Sequence, residues 1–124
     1  MTTKPRIIIA DDDRDLLNLA SITLRSAGYD VIGASDGKTA LQLVQEHKPD
    51  LVLLDIIMPG MTGFDVLIAI REDSELSNTP VVMFTASVKE TEEVRAIEIG
   101  ANYLLRKPFR PAELRNIISK YINA

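Results

Sequence analysis

Residues 51–60 read LVLLDIIMPG, and this stretch determines how the rest of the chain is interpreted. The apolar run at 51–54 is typical of a strand that is buried on both faces of a parallel sheet. Asp55 ends the run and is followed by three more apolar residues. A carboxylate in such surroundings is costly unless a cation meets it there. The stretch therefore predicts a central strand with a charged group at its carboxyl end.

Three other strand-like runs end in polar groups in the same way: residues 7–10 before Asp11, Asp12 and Asp13, residues 81–84 before Thr85, and residues 103–106 before Lys107. The carboxyl ends of parallel strands share one edge of a sheet, and open α/β sheets carry their sites at that edge. We therefore expect carboxylates, a hydroxyl and an ammonium group to meet there.

Short β-branched runs alternate with longer helical patterns, as in parallel sheets whose strands are joined by crossover helices. The predicted strands cover about 6–10, 29–34, 51–55, 81–85 and 103–106. The predicted helices cover about 14–27, 36–48, 64–72, 87–100 and 111–121. The expected fold is α/β: a flavodoxin-like, doubly wound sheet of five parallel strands in the order 2-1-3-4-5, with five helices and right-handed crossovers.

Local signals mark where several helices begin and end. Asp13 and Asp36 are expected to cap the first and second helices, which Gly28 and Pro49 should end. Residues 87–90, Ser-Val-Lys-Glu, have the form of a capping box and predict the start of the fourth helix.

Composition restricts the class of protein. The chain has 124 residues, a net charge of −4 and no cysteine, which excludes disulfides, thiol catalysis and thiolate metal sites. The negative charge disfavours broad attraction to nucleic acid or anionic membranes, and no apolar run approaches the roughly 20 residues of a membrane span. We expect one cytoplasmic domain over residues 1–124, without a second domain. His47, the only histidine, is expected to be a solvated surface residue.

The consecutive aspartates allow two interpretations. Acidic residues favour the first turn of a helix, and Asp13 as a cap needs no further explanation. That interpretation accounts less well for Asp11 and Asp12, and Asp55 adds a carboxylate to the same sheet edge. Carboxylates that converge without thiol or imidazole form a hard oxygen site suited to Mg²⁺ or Mn²⁺.

Thr85 and Lys107 would each be unremarkable alone, the first as an ordinary strand end and the second as a surface lysine. Beside a metal-bound carboxylate, however, a hydroxyl donor and a compact cation suit a tetrahedral dianion such as a phosphoryl group. The sequence thus indicates a metal-assisted phosphoryl acceptor.

From about Pro5 to Ile122 the sequence resembles the receiver domain of two-component response regulators. The resemblance rests on four motifs in this order: IIADDD at 8–13, LVLLDIIMPGMTG at 51–63, MFTA at 83–86 and RKPF at 106–109. Each motif is weak alone, but the four together, correctly spaced over five strand–helix units, are very specific.

The resemblance implies that Asp55 is the phosphoacceptor and that Mg²⁺, for which Mn²⁺ can substitute, is held by Asp11, Asp12, Asp55 and the backbone carbonyl of Ile57. It also implies that the phosphoryl group is surrounded by Thr85, Ala86 and Lys107. The peptide bond between Lys107 and Pro108 is expected to be cis. The resemblance further implies a phosphohistidine donor on a histidine kinase or histidine phosphotransfer protein. The chain would catalyse only its own phosphorylation and dephosphorylation. A downstream partner would then read the surface of the fourth helix, fifth strand and fifth helix.

One position departs from the family. Receiver domains usually carry Phe or Tyr three residues before the lysine, as a rotameric switch coupled to the threonine, and here that position is Leu104. Tyr103 lies one residue earlier and is predicted to face the other side of the strand. The usual coupling of an aromatic residue to Thr85 is therefore not expected.

Three other classes of protein were weighed. A phosphohydrolase of the haloacid-dehalogenase type carries a second Asp two residues after its nucleophile, where this chain has Ile57. A nucleotide-binding domain of this fold class needs a Gly-rich phosphate loop after a strand, and none is present. An interaction module that has lost phosphorylation is disfavoured by the intact acidic set and Lys107.

Overall fold

Strands and helices alternate regularly in the computed structural model, which describes residues 3–86 and 89–123. The strands are β1 (Arg6–Ala10), β2 (Asp30–Ala34), β3 (Leu51–Asp55), β4 (Val81–Thr85) and β5 (Tyr103–Arg106). The helices are α1 (Arg14–Ser26), α2 (Gly37–His47), α3 (Gly63–Glu72), α4 (Glu90–Ile99) and α5 (Pro111–Ser119). All strand pairs are parallel, in the order β2-β1-β3-β4-β5. The predicted fold class and strand order are confirmed.

The sheet has a hydrophobic core on each face because successive side chains of a strand point to opposite sides. Leu51 and Leu53 pack with residues of α1 and α5, on what we call the α1/α5 face. Val52 and Leu54 pack with residues of α2, α3 and α4, on what we call the α2/α3/α4 face. Every side chain of β3 is buried, so the apolar run that defined the central strand is explained by two cores.

The first two helices begin at the predicted residues. The Asp13 side chain accepts hydrogen bonds from the backbone N–H groups of Asp15 and Leu16, at 3.1 and 3.3 Å. Asp36 accepts one from Thr39 at 2.7 Å. Such caps satisfy N–H groups that have no partner inside the helix, and each contributes about 1 kcal/mol. The cap at Asp13 also fixes the direction in which the chain leaves β1.

The predicted start of α4 is wrong. Lys89 is the N-cap residue, the helix begins at Glu90, and the Lys89 side chain makes no capping hydrogen bond. Ser87, which the capping-box pattern placed at the start, lies with Val88 outside the described residues. The first turn carries Glu90, Glu92 and Glu93, whose negative charges interact favourably with the positive end of the helix dipole.

The prediction for His47 is also wrong in part. The side chain is half-buried, and Nη1 of Arg6 lies 3.0 Å from its Nδ1, so Nδ1 accepts the hydrogen bond. Arg6 also pairs with Asp30 at 2.8 Å. His47 contacts Arg6 because α2 ends beside the start of β1. This places it at the amino edge of the sheet, away from the acidic groups.

In the part of the chain that the structure describes, no helix is both long enough and apolar enough to cross a membrane.

Candidate functional site

The register of the sheet brings the functional side chains of three strands into one row. Ala10 pairs with Leu54, and Asp55 pairs with Phe84. Asp11, one residue beyond Ala10, therefore comes level with Asp55. Because paired residues share a face, Asp55 and Phe84 both belong to the α1/α5 face, at the carboxyl edge of the sheet.

Three carboxylates meet at this edge. Asp11, Asp12 and Asp55 offer oxygens that all lie within 4.8 Å of one another. Asp11 and Asp55 are buried, at 0% and 5% exposure, whereas Asp12 is exposed. Oxygen donors of this kind are those that Mg²⁺ and Mn²⁺ prefer. The third consecutive aspartate, Asp13, is engaged in capping α1, so both interpretations of the acidic run apply to different residues.

The loop after β3 is held close to Asp55. The backbone N–H of Gly63, the first residue of α3, donates to the Ile56 carbonyl at 2.8 Å. A Cβ atom on Gly63 would lie only 2.2 Å from the carbonyl oxygen of Asp55, so glycine is required for this close approach. Ile57 has its side chain 64% exposed, and its backbone N–H lies 3.4 Å from Oδ1 of Asp55.

Lys107 closes the site from the side of β5. Its Nζ lies 2.9 Å from Oδ2 of Asp11 and 3.3 Å from Oδ2 of Asp55. The same ammonium lies 4.7 Å from the ring centroid of Phe84. The backbone N–H of Lys107 donates to the Thr85 carbonyl at 2.8 Å, and the peptide bond between Lys107 and Pro108 is cis. One ammonium thus faces a group of three carboxylates.

The electrostatics follow from that imbalance. Burial raises the pKa of Asp55 to about 6. Lys107 acts in the opposite direction, and the neighbouring Asp11 raises the pKa further. The carboxylate is therefore short of positive charge even with Lys107 in contact. A divalent cation would supply the missing charge, so the donor set and its electrostatics both fit one.

Thr85 and Leu104 belong to the other face of the sheet. Thr85 ends β4, is 1% exposed and pairs with Arg106, while the next residue, Ala86, is exposed. Leu104 is half-buried and packs against the core on the α2/α3/α4 face, whereas Tyr103 packs against the core on the α1/α5 face. The predicted separation of Tyr103 from Leu104 is confirmed.

Two residues of the site were missed from the sequence. Phe84 was assigned only to a strand, although its position next to Thr85 in a period of two puts it on the face of Asp55. Gly63 was read only as the end of a motif. Seeing either role requires the register of β3 with β4 and the distance from α3 to β3, which no local pattern supplies.

Comparison with known proteins agrees with this geometry. The family model of the response regulator receiver domain matches residues 7–119. The DNA-binding response regulator MtrA of Mycobacterium tuberculosis strain H37Rv is 43% identical over 113 residues, covering 91% of this chain and 48% of MtrA. MtrA of Mycolicibacterium smegmatis gives the same identity and coverage. The chain thus spans about half the length of the curated relatives it matches.

Solved structures show the same arrangement of elements. Chemotaxis response regulator CheY4 of Vibrio cholerae superposes with a TM-score of 0.91 at 32% identity, covering 97% of this chain and 100% of that one. A putative response regulator from Chloroflexus aurantiacus gives 0.91 at 31% identity, covering 96% and 98% of the two chains.

Proposed function

Because the chain belongs to the response regulator receiver domain family, we propose that Asp55 is its phosphoacceptor and that residues 1–124 form a single phosphorylation-controlled domain. Receiver domains of two-component systems are phosphoryl-acceptor switches and are generally not enzymes. The observation that carries the assignment is the placement of Asp55, a buried carboxylate beside two further carboxylates and the ammonium of Lys107.

The proposed step is a phosphoryl transfer from a phosphohistidine to Asp55. An ionised oxygen of Asp55 attacks phosphorus, a P–O bond forms, the P–N bond to the donor imidazole breaks, and the imidazole nitrogen keeps the electron pair. With a pKa of about 6, Asp55 is mostly ionised at neutral pH, as the attack requires. In dephosphorylation water attacks the same phosphorus, a P–O bond to water forms, the P–O bond to Asp55 breaks, and inorganic phosphate leaves while the carboxylate keeps the electron pair. Both reactions are confined to the chain's own side chain.

The surrounding residues would neutralise and orient the phosphoryl oxygens. Lys107 supplies a positive charge, the Thr85 hydroxyl donates a hydrogen bond, and the small side chain of Ala86 leaves room. Asp11, Asp12, Asp55 and the backbone carbonyl of Ile57 would hold Mg²⁺ or Mn²⁺. When bound, that ion offsets the charge of the carboxylates and of the incoming phosphoryl group.

The partners follow from this chemistry. The donor is a histidine kinase or a histidine phosphotransfer protein, and a downstream protein reads the surface formed by α4, β5 and α5. DNA binding, which the name of MtrA states for that protein, is not proposed for this domain, since its net charge is −4. We place the exchange in the cytoplasm, because DNA-binding relatives of bacterial origin work where the DNA lies.

Incubation with acetyl phosphate and Mg²⁺, followed by intact-mass measurement, tests the proposal. One phosphoryl group should be added to the parent protein, and none to Asp55→Asn or in excess chelator. Asp50→Asn, which changes an exposed aspartate at the opposite sheet edge, is the matched control and should be labelled like the parent. Labelling that persists in Asp55→Asn would reject Asp55 as the acceptor, and a parent protein that takes no label would favour an interaction module.

A further inference from the structure

The Lys107 ammonium is held on three sides, and only two of the three partners are carboxylates. Nζ lies 2.9 Å from Asp11, 3.3 Å from Asp55 and 4.7 Å from the centroid of the Phe84 ring. A cation within about 6 Å of a ring centroid is attracted by the ring quadrupole, and the attraction is stronger where water is excluded. Phe84 is fully buried, and the Lys107 side chain is 14% exposed.

The sheet holds the ring of Phe84 in this position, and a second ring packs beside it. Phe84 pairs with Asp55 across β3 and β4 and shares its face, so it lies beside the carboxylate that Lys107 contacts. Phe109, two residues after Lys107, packs against it with the ring centroids 6.1 Å apart and the planes tilted by 57°. The aromatic pair thus joins β4, the neighbour of the acceptor's strand, to the segment that carries the lysine.

The three partners of Lys107 differ in what the proposed reaction does to them. Asp11 is a proposed metal ligand, so a bound cation would offset its charge, and Asp55 passes its charge to the phosphoryl oxygens when it becomes an acyl phosphate. The Phe84 ring carries no net charge and offers no oxygen to a metal or phosphoryl group. Its attraction for Lys107 therefore survives both changes.

Resting on the proposed function of Asp55, we propose that Phe84 is a positioning residue that keeps the Lys107 ammonium in the site while its carboxylate partners change. Lysine has a long, flexible side chain, and once a bound cation offsets the charges of Asp11 and Asp55, before the phosphoryl group arrives, those carboxylates hold the ammonium less strongly. The ring keeps it where the phosphoryl charge arrives.

Replacing Phe84 by 3,4,5-trifluorophenylalanine tests this, because the ring keeps nearly the same shape while fluorine withdraws the electron density that attracts a cation. The maximal rate of Asp55 phosphorylation by acetyl phosphate at saturating Mg²⁺ should fall by roughly three- to tenfold, with mono- and difluoro rings in between. The matched control carries the same trifluoro residue at position 109, where Phe109 packs beside Phe84. We take a change in rate of less than about twofold as the criterion for no effect. If the protein with trifluorophenylalanine at position 84 is phosphorylated at the rate of the parent, the proposal is overturned.

The Lys107→Met background separates positioning from packing. If Phe84 acts through Lys107, fluorination of Phe84 should have no further effect in that background, as a double-mutant cycle requires. An undiminished effect of fluorination in Lys107→Met would show that Phe84 acts through something else and would overturn the proposal.

A measurement that does not use phosphorylation keeps this inference separable from the proposed function. Protons on Cε of Lys107 should carry an upfield ring-current shift in NMR spectra, both without metal and with Mg²⁺ added. The shift should be lost in Phe84→Leu and retained in Phe109→Leu. Absence of the shift, or its loss on adding Mg²⁺, would overturn the role of Phe84 whether or not Asp55 is phosphorylated.

Discussion

Asp55 binds protons more tightly in the folded protein than in the unfolded chain, since burial raises its pKa from the ordinary value of 3.8 to about 6. Between those two values the folded state holds the extra proton, so the free energy of unfolding decreases as the pH rises from about 4 to about 6. Above about pH 6 the full loss in the free energy of unfolding, caused by burying the ionised Asp55, is present. The acceptor therefore destabilises the metal-free protein at neutral pH.

Asp55→Asn removes this cost. In metal-free buffer at pH 7.5 the variant should be more stable than the parent by about 1–3 kcal/mol, with the lower end expected because Lys107 loses one partner. The difference should shrink as the pH approaches 4. Urea unfolding at several pH values provides the measurement, and Asp15→Asn, at an exposed position of α1, is the control. A variant less stable than the parent at pH 7.5 would show that the contact with Lys107 outweighs the burial of Asp55.

Single residues of the site were predictable where their strand position alone defines their role. Asp11, Asp55 and Lys107 were assigned to one edge because each ends or follows an apolar run. His47 was misjudged because its contact with Arg6 joins residues 41 positions apart. Phe84 was missed for the same reason, since its contact with Lys107 depends on strand register.

The contact between α3 and β3 makes a prediction at the scale of elements. In Gly63→Ala the new Cβ atom would lie 2.2 Å from the Asp55 carbonyl oxygen and 2.9 Å from Cα of Ile56, so α3 or the loop must shift. Overpacking of this kind typically costs about 1–3 kcal/mol, and here it should also slow phosphorylation, because Asp55 moves with the loop. Urea unfolding and the acetyl phosphate rate measure the two effects.

Gly60→Ala is the matched control in the same loop. Gly60 has φ +71°, and a Cβ atom there would meet nothing within 4 Å, so only backbone strain of about 1–2 kcal/mol is expected. Its phosphorylation rate should remain that of the parent. If the two variants lose the same fraction of the phosphorylation rate, any disturbance of the loop slows phosphorylation equally. The close approach of α3 to Asp55 would then have no particular role.

The transmission of the signal is predicted to use β4 rather than an aromatic rotamer. Leu104 has no ring and no hydroxyl, and Tyr103 packs against the core on the α1/α5 face. Structures with and without a beryllofluoride mimic of the phosphoryl group should show Thr85 moving toward the mimic and the start of α4 at Glu90 shifting with it. Superposition of Thr85 and residues 86–90 in both states, or a swing of Tyr103 to solvent, would contradict this route.

Elements were easier to predict than their exact ends. Asp13 and Asp36 were identified as caps because a capping side chain acts within three residues. The start of α4 was placed too early because the capping-box pattern at 87–90 competes with an acidic first turn that starts at Glu90. Sequence patterns alone do not decide between two adequate starts for one helix.

For the whole molecule, the acidic group links metal binding to stability. Mg²⁺ that binds only the folded state stabilises it by mass action, and a tenfold excess over the dissociation constant contributes about 1.4 kcal/mol. The melting temperature of the parent should therefore rise in millimolar Mg²⁺. In Asp12→Ala, which removes the exposed member of the proposed ligand set, that rise should disappear.

The control for this measurement is Asp13→Ala, which removes the cap of α1 but no proposed ligand. It should melt at a lower temperature than the parent, since the cap contributes about 1 kcal/mol to the free energy of unfolding. It should still respond to Mg²⁺, because the cap does not contribute to binding of the ion. Melting curves of the parent that overlay with and without Mg²⁺ would refute the metal site.

The overall architecture could be predicted because it follows from periodicity. An apolar run such as 51–54, buried on both faces, indicates parallel strands, and the alternation with helices fixes the doubly wound class. Resemblance to receiver domains then supplied the expected roles of the residues. The depth of burial at Asp55 and the partners of Lys107 required coordinates, because they depend on how closely neighbouring strands bring their ends together.

Phe84 and Thr85 are adjacent on β4 and, by the alternation of strand side chains, serve opposite faces of the sheet. The first adjoins Lys107, which is proposed to assist transfer, and the second lies on the side of Leu104 and α4. In the proposed mechanism, the rate of phosphorylation depends on one of these positions and the size of the conformational response depends on the other. Natural selection, or the designer of a biosensor, could therefore change the phosphorylation rate by substitutions at position 84 and the strength of the response by substitutions at position 85.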